Sequence, residues 1–179
     1  MSRESRFLSL ILRHKPEEVG LKLGPGGWVR IDELLVAMKR AGRRLTRDHL
    51  IEIVEQNDKK RFTISSDGER IRAAQGHSLD VDLGLPAQDP PDELFHGTAR
   101  AHLDEIFSAG IIPGRRRLVH LSVDIATALT VGGRHGKPVV LTVAAKAMHQ
   151  DGHKFYRADN GVWLTDHVPT SYLSFATIR

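Results

Sequence analysis

The stretch Arg61-Phe62-Thr63-Ile64-Ser65-Ser66-Asp67-Gly68-Glu69-Arg70-Ile71-Arg72-Ala73 decides the fold predicted for the first half of the chain. It contains two short segments with β-branched residues, and Ser66-Asp67-Gly68 stands between them. An Asp-Gly turn between two such segments is a strong signal for a β-hairpin. We therefore predict that the chain reverses direction here and that the two segments pair as antiparallel strands.

Three segments before this hairpin have the spacing of amphipathic helices, namely 2–14, 32–41 and 46–56. Pro16 disfavours helix at the residue before it, so the first helix should end near His14. Asp32 and Thr46 are suited to cap the second and third helices. Helices followed by a hairpin predict a winged-helix-like lobe over residues 1–78, a fold that is frequent among DNA-binding proteins.

Residues 79–93 are acidic and rich in proline, which is typical of a linker. After this segment the pattern changes to short strand-like runs separated by turns and by two short helical segments. The strand-like runs are 93–95, 118–122, 139–143, 154–157, 162–164 and 172–178, and the helical segments are 100–109 and 124–131. The second lobe, 94–179, is therefore predicted to be mixed and mainly β, and the whole chain to be of the mixed α/β (α+β) class.

The composition is that of an ordinary globular protein with a moderate excess of positive charge. The 179 residues are 40% hydrophobic and 27% charged, with a formal net charge of +4. Such a chain is compatible with a polyanionic partner without requiring one. It has no cysteine and no apolar run long enough to cross a membrane. We therefore expect no disulfide, no membrane association and a reducing, cytoplasmic environment.

Basic fragments recur at several places that suit the same kind of ligand. The stretch 114–122 carries three consecutive arginines that lead into a strand-like segment with one histidine, and similar fragments stand at 13–14, 59–62 and 94–98. A guanidinium group presents a fixed fork of donors that matches two phosphate oxygens at once. Each fragment alone is compatible with a solvated loop, but together they favour a phosphate-rich substrate.

Other chemistries receive little support from the sequence. The pair His149 and His153 stands outside any His-Glu-x-x-His motif, so no metal site is expected. No Gly-x-Ser-x-Gly elbow supports a serine nucleophile. The dinucleotide-binding glycine fingerprint and the P-loop are also missing, so a nucleotide would have to be held in another way.

Seven short motifs, taken in chain order, resemble those of the RNA 2′-phosphotransferase (KptA) family. They are Leu12-Arg13-His14 with Pro16, and the segments 57–62, 75–78, 94–98, 119–122, 131–136 and 160–165. Each motif is short, but together they extend over nearly the whole chain. His96-Gly97-Thr98, followed by a helical segment and then by His120-Leu121-Ser122, is similar in layout to the NAD site of ADP-ribosyltransferases.

The resemblance implies a winged-helix-like lobe that binds RNA and an ADP-ribosyltransferase-like lobe that binds NAD⁺. It implies NAD⁺-dependent removal of an internal RNA 2′-phosphate, as left at a tRNA splice junction, through a 2′-phospho-ADP-ribosyl RNA intermediate. The products would be RNA with a free 2′-hydroxyl, nicotinamide and ADP-ribose 1″,2″-cyclic phosphate. We expect a cytoplasmic monomer that uses NAD⁺ as co-substrate and needs no metal.

By the same resemblance, the family's catalytic residues correspond to Arg13, His14, Arg61 and Arg116. The residues expected to bind NAD⁺ are His96, Gly97, Thr98, His120, Ser122 and Arg134. His14 is the expected proton carrier, because an unperturbed imidazole titrates near neutral pH. Family members usually have histidine where Leu118 stands and asparagine where Ala74 stands. The first departure makes the choice of Arg116 over Arg115 or Arg117 depend on the alignment.

Two other functions stay open at this point. One is an enzyme that ADP-ribosylates nucleic-acid phosphate ends and stops after that step, which predicts a stable adduct. The other is a winged-helix regulator without catalysis, which predicts sequence-specific duplex binding and no requirement for NAD⁺.

Overall fold

The computed structural model describes residues 2–134 and 136–177. The chain divides into two compact units, residues 1–84 and residues 85–179, and each has its own hydrophobic core. Helices and antiparallel strands are mixed in both units, which confirms the mixed α/β class predicted from the sequence. Within the described residues, no helix combines the length and the apolar character that crossing a membrane requires.

The first unit combines helices with a small antiparallel sheet. Its elements are α1 (Arg3–Arg13), β1 (Val29–Arg30), α2 (Ile31–Arg40), α3 (Arg47–Glu55), β2 (Phe62–Ile64) and β3 (Arg70–Ala73). Short 3₁₀ turns cover Pro16–Val19 and Pro25–Gly27. The strands are ordered β1-β3-β2, and the predicted hairpin is confirmed, with Phe62 opposite Ala73 and Ile64 opposite Ile71.

Capping interactions explain where α1 and α3 begin. Ser2 Oγ accepts a hydrogen bond from the Ser5 N–H, and Thr46 Oγ1 accepts one from the His49 N–H, as the cap predicted at Thr46 requires. The end of α1 also follows the prediction. The last helical residue is Arg13, and Pro16 disfavours helix at Lys15, two residues further on.

The prediction that Asp32 caps α2 is wrong. The strand β1 passes directly into the helix, and the Ile31 N–H donates to the Glu69 carbonyl at 2.9 Å. Because the Glu69 carbonyl satisfies the first free N–H group of the helix, α2 begins at Ile31 with Arg30 as its N-cap. Asp32 lies in the first helical turn, where its negative charge is favourable to the helix dipole.

The second unit is built from short strands and helices in alternation. Its elements are β4 (Leu94–Ala99), α4 (Leu103–Ala109), β5 (Val119–Leu121), α5 (Ile125–Gly132), β6 (Pro138–Val143), α6 (Ala145–Gln150), β7 (Tyr156–Arg157), β8 (Trp163–Thr165) and β9 (Leu173–Phe175). Antiparallel sheets are ordered β4-β6-β9 and β5-β8-β7. Reciprocal backbone hydrogen bonds of 2.8 Å between Phe95 and Ser122 join β4 to the end of β5.

Some predicted elements of this unit differ from the structure. The sequence predicts two short helices, whereas the described residues include a third, α6, which is six residues long. The helix predicted at 100–109 begins as a 3₁₀ turn, Arg100–His102, before α4. The strand predicted at 172–178 is shortened to β9, and its last predicted residue, Ile178, lies outside the described residues.

The acidic, proline-rich segment 79–93 makes local contacts within each unit. In the first unit, the Leu83 carbonyl accepts a hydrogen bond from Arg72 Nη1 at 3.0 Å. In the second unit, the Gln88 N–H donates to the Phe155 carbonyl at 2.8 Å. The segment therefore packs on its neighbours at both of its ends.

Candidate active site

The end of α1 carries two of the predicted catalytic residues. Arg13 is the last helical residue and is half-buried, and His14 caps the helix and is exposed. Arg13 Nη2 donates a hydrogen bond to the Arg61 carbonyl at 3.4 Å. The same carbonyl accepts from the Ala74 N–H at 2.8 Å, where the hairpin strands continue beyond β2 and β3. The Arg13 side chain therefore contacts the backbone of Arg61, and Arg13, the adjacent His14 and Arg61 are referred to below as one cluster of the first unit.

Ser78 holds the end of α1 with two hydrogen bonds. Its N–H donates to the Arg13 carbonyl at 3.0 Å, and its Oγ lies 2.9 Å from His14 Nδ1. The first bond fixes the backbone at the helix end, and the second orients the imidazole ring. Sequence reasoning placed Ser78 in a motif without giving it a role, because nothing in the sequence shows that it contacts a residue so distant in the chain.

Asn57 orients Arg61. Its Oδ1 accepts a hydrogen bond from Arg61 Nη1 at 3.0 Å and another from the Lys59 N–H at 3.2 Å. Its Nδ2 donates to Ser5 Oγ at 3.2 Å, which anchors the amide on α1. Lys60, between these residues, has a positive φ of 41°, so the loop turns tightly to bring Arg61 back towards Asn57. The guanidinium group is thus held by an amide that is itself fixed to a helix.

His77 is a buried histidine next to this cluster, with a relative exposure of 4%. Burial, followed by the positive charges of Arg13, His14 and Arg72, lowers its pKa to about 4, while a hydrogen bond to the Leu12 backbone opposes this shift. The ring is therefore neutral at physiological pH. It lies near enough to Arg13 and His14 to feel their charges, and its role near the site could not be identified from the sequence.

In the second unit, the strand contact between β4 and β5 gathers several of the residues predicted to bind NAD⁺. His96 Nδ1 lies 3.2 Å from the His120 carbonyl, and the hydrogen bonds between Phe95 and Ser122 fix the two strands side by side. Burial lowers the pKa of His96, the positive charge of Arg116 lowers it further, and the bond to His120 opposes both. His96 is therefore neutral and donates from Nδ1 to the carbonyl.

Arg116 extends from the loop before β5 towards these histidines. Its Nη1 lies 2.5 Å from His120 Nδ1, which must be the acceptor because a guanidinium group only donates. Burial lowers the pKa of Arg116, and the neighbouring positive charge of Arg134 lowers it further. Arg116 keeps its charge at neutral pH, since arginine titrates far above it. Two adjacent cations beside neutral imidazoles make this part of the second unit suited to an anion.

Gly97 and Thr98 are placed differently from the prediction. They lie inside β4 instead of at its end. A Cβ atom on Gly97 would overlap the Ala128 carbonyl of α5, and one on Gly132 would lie 2.7 Å from the Thr98 carbonyl. The close packing of α5 on β4 is therefore sufficient to require glycine at position 97, and the role of Gly97 in binding NAD⁺ stays a prediction. Thr98 is buried, and its Oγ1 lies 3.5 Å from His102 Nδ1.

The predicted catalytic set is distributed over both units. Arg13, His14 and Arg61 belong to the first unit, and Arg116 belongs to the second with all six of the predicted NAD⁺ residues. Among the residues 2–134 and 136–177, no group of three or more His, Cys, Asp or Glu side chains is arranged to hold a metal ion. The fold and these clusters define a mixed α/β protein with arginine- and histidine-rich candidate anion sites.

Comparison with known proteins identifies the family. Residues 1–167 match the model described as "RNA 2'-phosphotransferase, Tpt1 / KptA family". The chain is 56% identical to a "Probable RNA 2'-phosphotransferase" of Agrobacterium fabrum over 95% of this chain and 91% of that protein. It is 53% identical to a protein of the same description from Nostoc punctiforme, over 94% of this chain and 93% of that protein. It is 52% identical to another from Streptomyces coelicolor, over 96% of this chain and 93% of that protein. The chain therefore belongs to the RNA 2′-phosphotransferase family, which confirms the resemblance drawn from its motifs.

Proposed function

We propose that this protein is an NAD⁺-dependent RNA 2′-phosphotransferase that removes an internal 2′-phosphate of the kind left at a tRNA splice junction. The observation that carries the proposal is the cluster of Arg13, His14 and Arg61, held by Ser78 and Asn57, in a chain of this family. The proposed reaction proceeds through a 2′-phospho-ADP-ribosyl RNA intermediate. Its products are RNA with a free 2′-hydroxyl, nicotinamide and ADP-ribose 1″,2″-cyclic phosphate.

The proposed lobes follow the two units. The order of helices and the small antiparallel sheet of the first unit support a winged-helix-like lobe that binds RNA. The paired antiparallel sheets of the second unit support an ADP-ribosyltransferase-like lobe that binds NAD⁺. In this proposal the protein works as a monomer in the cytoplasm.

In the first unit, the arginines bind the RNA phosphate. A 2′-phosphate is already anionic, so its reaction needs orientation and charge stabilisation more than it needs a base. Arg13 and Arg61 are suited to this task because a guanidinium group binds two phosphate oxygens at once and does not deprotonate. His14, exposed at the end of α1, is the proton carrier in this proposal.

The residues of the second unit fit a dinucleotide. Arg134 suits a pyrophosphate, whereas the neighbouring Arg116 stabilises the charge that develops on the transferred phosphate, and the neutral His96 lies near Arg116. His120 and Ser122 lie on the neighbouring strand, whereas Gly97 contributes by letting α5 approach β4. When bound, NAD⁺ would supply the ribosyl group that accepts the phosphate. The chain's own arginines bind its negative charge.

The reaction is tested with a short RNA that carries one internal 2′-phosphate, incubated with and without NAD⁺. We expect NAD⁺-dependent loss of the phosphate and the appearance of the cyclic product. Accumulation of ADP-ribosylated RNA alone would indicate an enzyme that stops after the first step. The absence of both reaction and NAD⁺ binding would instead support a non-catalytic nucleic-acid-binding protein.

Arg116 and Arg115 provide a matched pair of variants for the same assay. Removing a donor that stabilises developing charge typically costs about 100- to 1,000-fold in kcat, so Arg116→Ala should lose activity on that scale. Arg115 is also exposed, but among the described hydrogen bonds it is Arg116, not Arg115, that contacts His120, so Arg115→Ala should change kcat no more than about threefold. Equal losses in the two variants would contradict the assignment of Arg116 to the site.

A further inference from the structure

A groove of about 530 Å³ lies in the first unit between the start of α1 and one face of α3. One wall is formed by Ser2 and Ser5, and the other by His49, Glu52, Ile53 and Gln56. The α3 residues are spaced three, one and three apart, so they share one face of the helix. The volume lies within the range of pockets that hold small molecules, roughly 300–1,000 Å³.

The predicted catalytic residue Arg61 lines the same groove, in the loop that follows the C-terminal end of α3. Residues 49–56, which run along α3 to its C-cap Gln56, span about 10 Å at a rise of roughly 1.5 Å per residue. The groove therefore has Arg61 at one end and His49 at the other, with room along the helix for a group attached to the phosphate that Arg61 would hold. Asn57, which holds Arg61, also lines it.

The chemistry of the groove changes along its length. Lys59 and Arg61 carry two positive charges at one end, against one negative charge from Asp58, whereas Glu52 places a carboxylate on the wall of α3. Glu52 Oε1 accepts a hydrogen bond from Gln56 Nε2 at 3.0 Å, so the two side chains present a carboxylate and an amide side by side. Ile53, with 9% of its surface exposed, contributes an apolar patch between them. A second phosphate would be repelled by Glu52, whereas an uncharged group with donors, acceptors and an apolar face would be accepted.

We propose that this groove binds the nucleoside next to the 2′-phosphorylated nucleotide of the RNA substrate. The inference rests on the proposed function and extends it from the phosphate to its neighbour in the chain. The base packs on Ile53 and its polar edge bonds to Glu52 and Gln56, while the phosphate remains at Arg61. A nucleoside is the part of RNA that combines an uncharged polar edge with an apolar face.

The test uses RNAs with one internal 2′-phosphate in which the base on the 5′ side, or on the 3′ side, is replaced by an abasic residue. For the wild-type protein, kcat/KM should fall roughly tenfold with one of the two abasic RNAs, the loss expected for one stacked and hydrogen-bonded base. In the double variant Glu52→Ala, Gln56→Ala, the ratio between intact and abasic RNA should approach one. Glu55→Ala is the control, because Glu55 is an exposed residue of α3 outside the groove and should retain the tenfold ratio.

Two results would overturn the proposal: equal rates for intact and abasic RNA with the wild-type protein, or an unchanged ratio in the double variant. Fluorescence anisotropy of the same RNAs without NAD⁺ separates this inference from the proposed reaction. If the protein removes no phosphate but binds intact RNA more tightly than abasic RNA, and the double variant abolishes the difference, the groove stands and the reaction fails. If the affinities are equal, the groove proposal fails as well.

Discussion

Replacing Ser78 by alanine should slow the proposed reaction by loosening His14 without disturbing the fold. Ser78 reaches the helix end through its N–H, which donates to the Arg13 carbonyl, and through its Oγ, which lies 2.9 Å from His14 Nδ1. Alanine keeps the backbone bond and removes only the contact with the imidazole. The variant therefore isolates the orientation of the ring from the position of α1.

The size of the effect follows from the strength of a single hydrogen bond. A typical intramolecular hydrogen bond contributes roughly 0.5–1.5 kcal/mol of net stabilisation. A free-energy difference of about 1.4 kcal/mol changes a rate or an equilibrium constant tenfold. Because His14 and Ser78 are both exposed, water competes for this bond and the lower half of the range applies. We expect Ser78→Ala to reduce kcat about two- to fivefold. His14→Ala should cost roughly 100-fold or more, since it removes the proton carrier itself.

The rate at which the 2′-phosphate is transferred from RNA into ADP-ribose 1″,2″-cyclic phosphate measures this effect, with Ser78→Thr and Ser66→Ala as companions. Threonine restores a hydroxyl and should recover most of kcat, which a merely structural contribution of Ser78 would not do. Ser66 is an exposed serine in the hairpin turn, so Ser66→Ala should behave as wild type. An unchanged kcat in Ser78→Ala, or a failure of threonine to restore it, would refute the role given to this hydroxyl.

The remaining predictions concern stability. His77 has a pKa of about 4 in the folded protein, below its ordinary value of 6.5, so the unfolded chain binds the proton more tightly and stability falls as pH drops through that interval. When the pH is lowered from 7 to 5, the unfolding free energy of the wild type should fall by roughly 2 kcal/mol more than that of His77→Gln, as measured by urea titration. Equal decreases in the two proteins would refute this linkage. Gly97→Ala should destabilise the second unit by about 3 kcal/mol or more, because its methyl group would overlap the Ala128 carbonyl. The control Gly133→Ala, at a helical φ of −64°, should lower the thermal midpoint much less, and equal midpoints would contradict the packing account.

Local signals predicted the parts of the fold that depend on neighbouring residues. The hairpin at 61–73 follows from a turn flanked by β-branched residues, and the end of α1 follows from Pro16. The α2 start was missed because it depends on a hydrogen bond from Ile31 to Glu69, which is distant in sequence. The helix α6 was missed because six residues make fewer than two turns, too few for a hydrophobic period to be recognised.

The candidate site shows the same division between local and distant information. Arginines beside apolar segments are visible in the sequence, and so is the His96-Gly97-Thr98 motif. The partners that orient them are not visible, since Ser78 and Asn57 are small polar residues whose roles depend on contacts across the fold. Gly97 was interpreted as a place for a ligand, because a glycine in a strand signals a close approach without showing what approaches.

The charge arrangement around Arg116 connects stability to the proposed function. Arg134 is close enough to lower the Arg116 pKa, and among the described residues no carboxylate lies within ion-pair distance of either side chain. Two neighbouring like charges repel each other, and this repulsion destabilises the unit that contains them. An anion bound between them would remove that repulsion. In the proposed function, the same pair would weaken the ligand-free second unit and attract a phosphate-bearing ligand, as expected where binding competes with stability at a functional site.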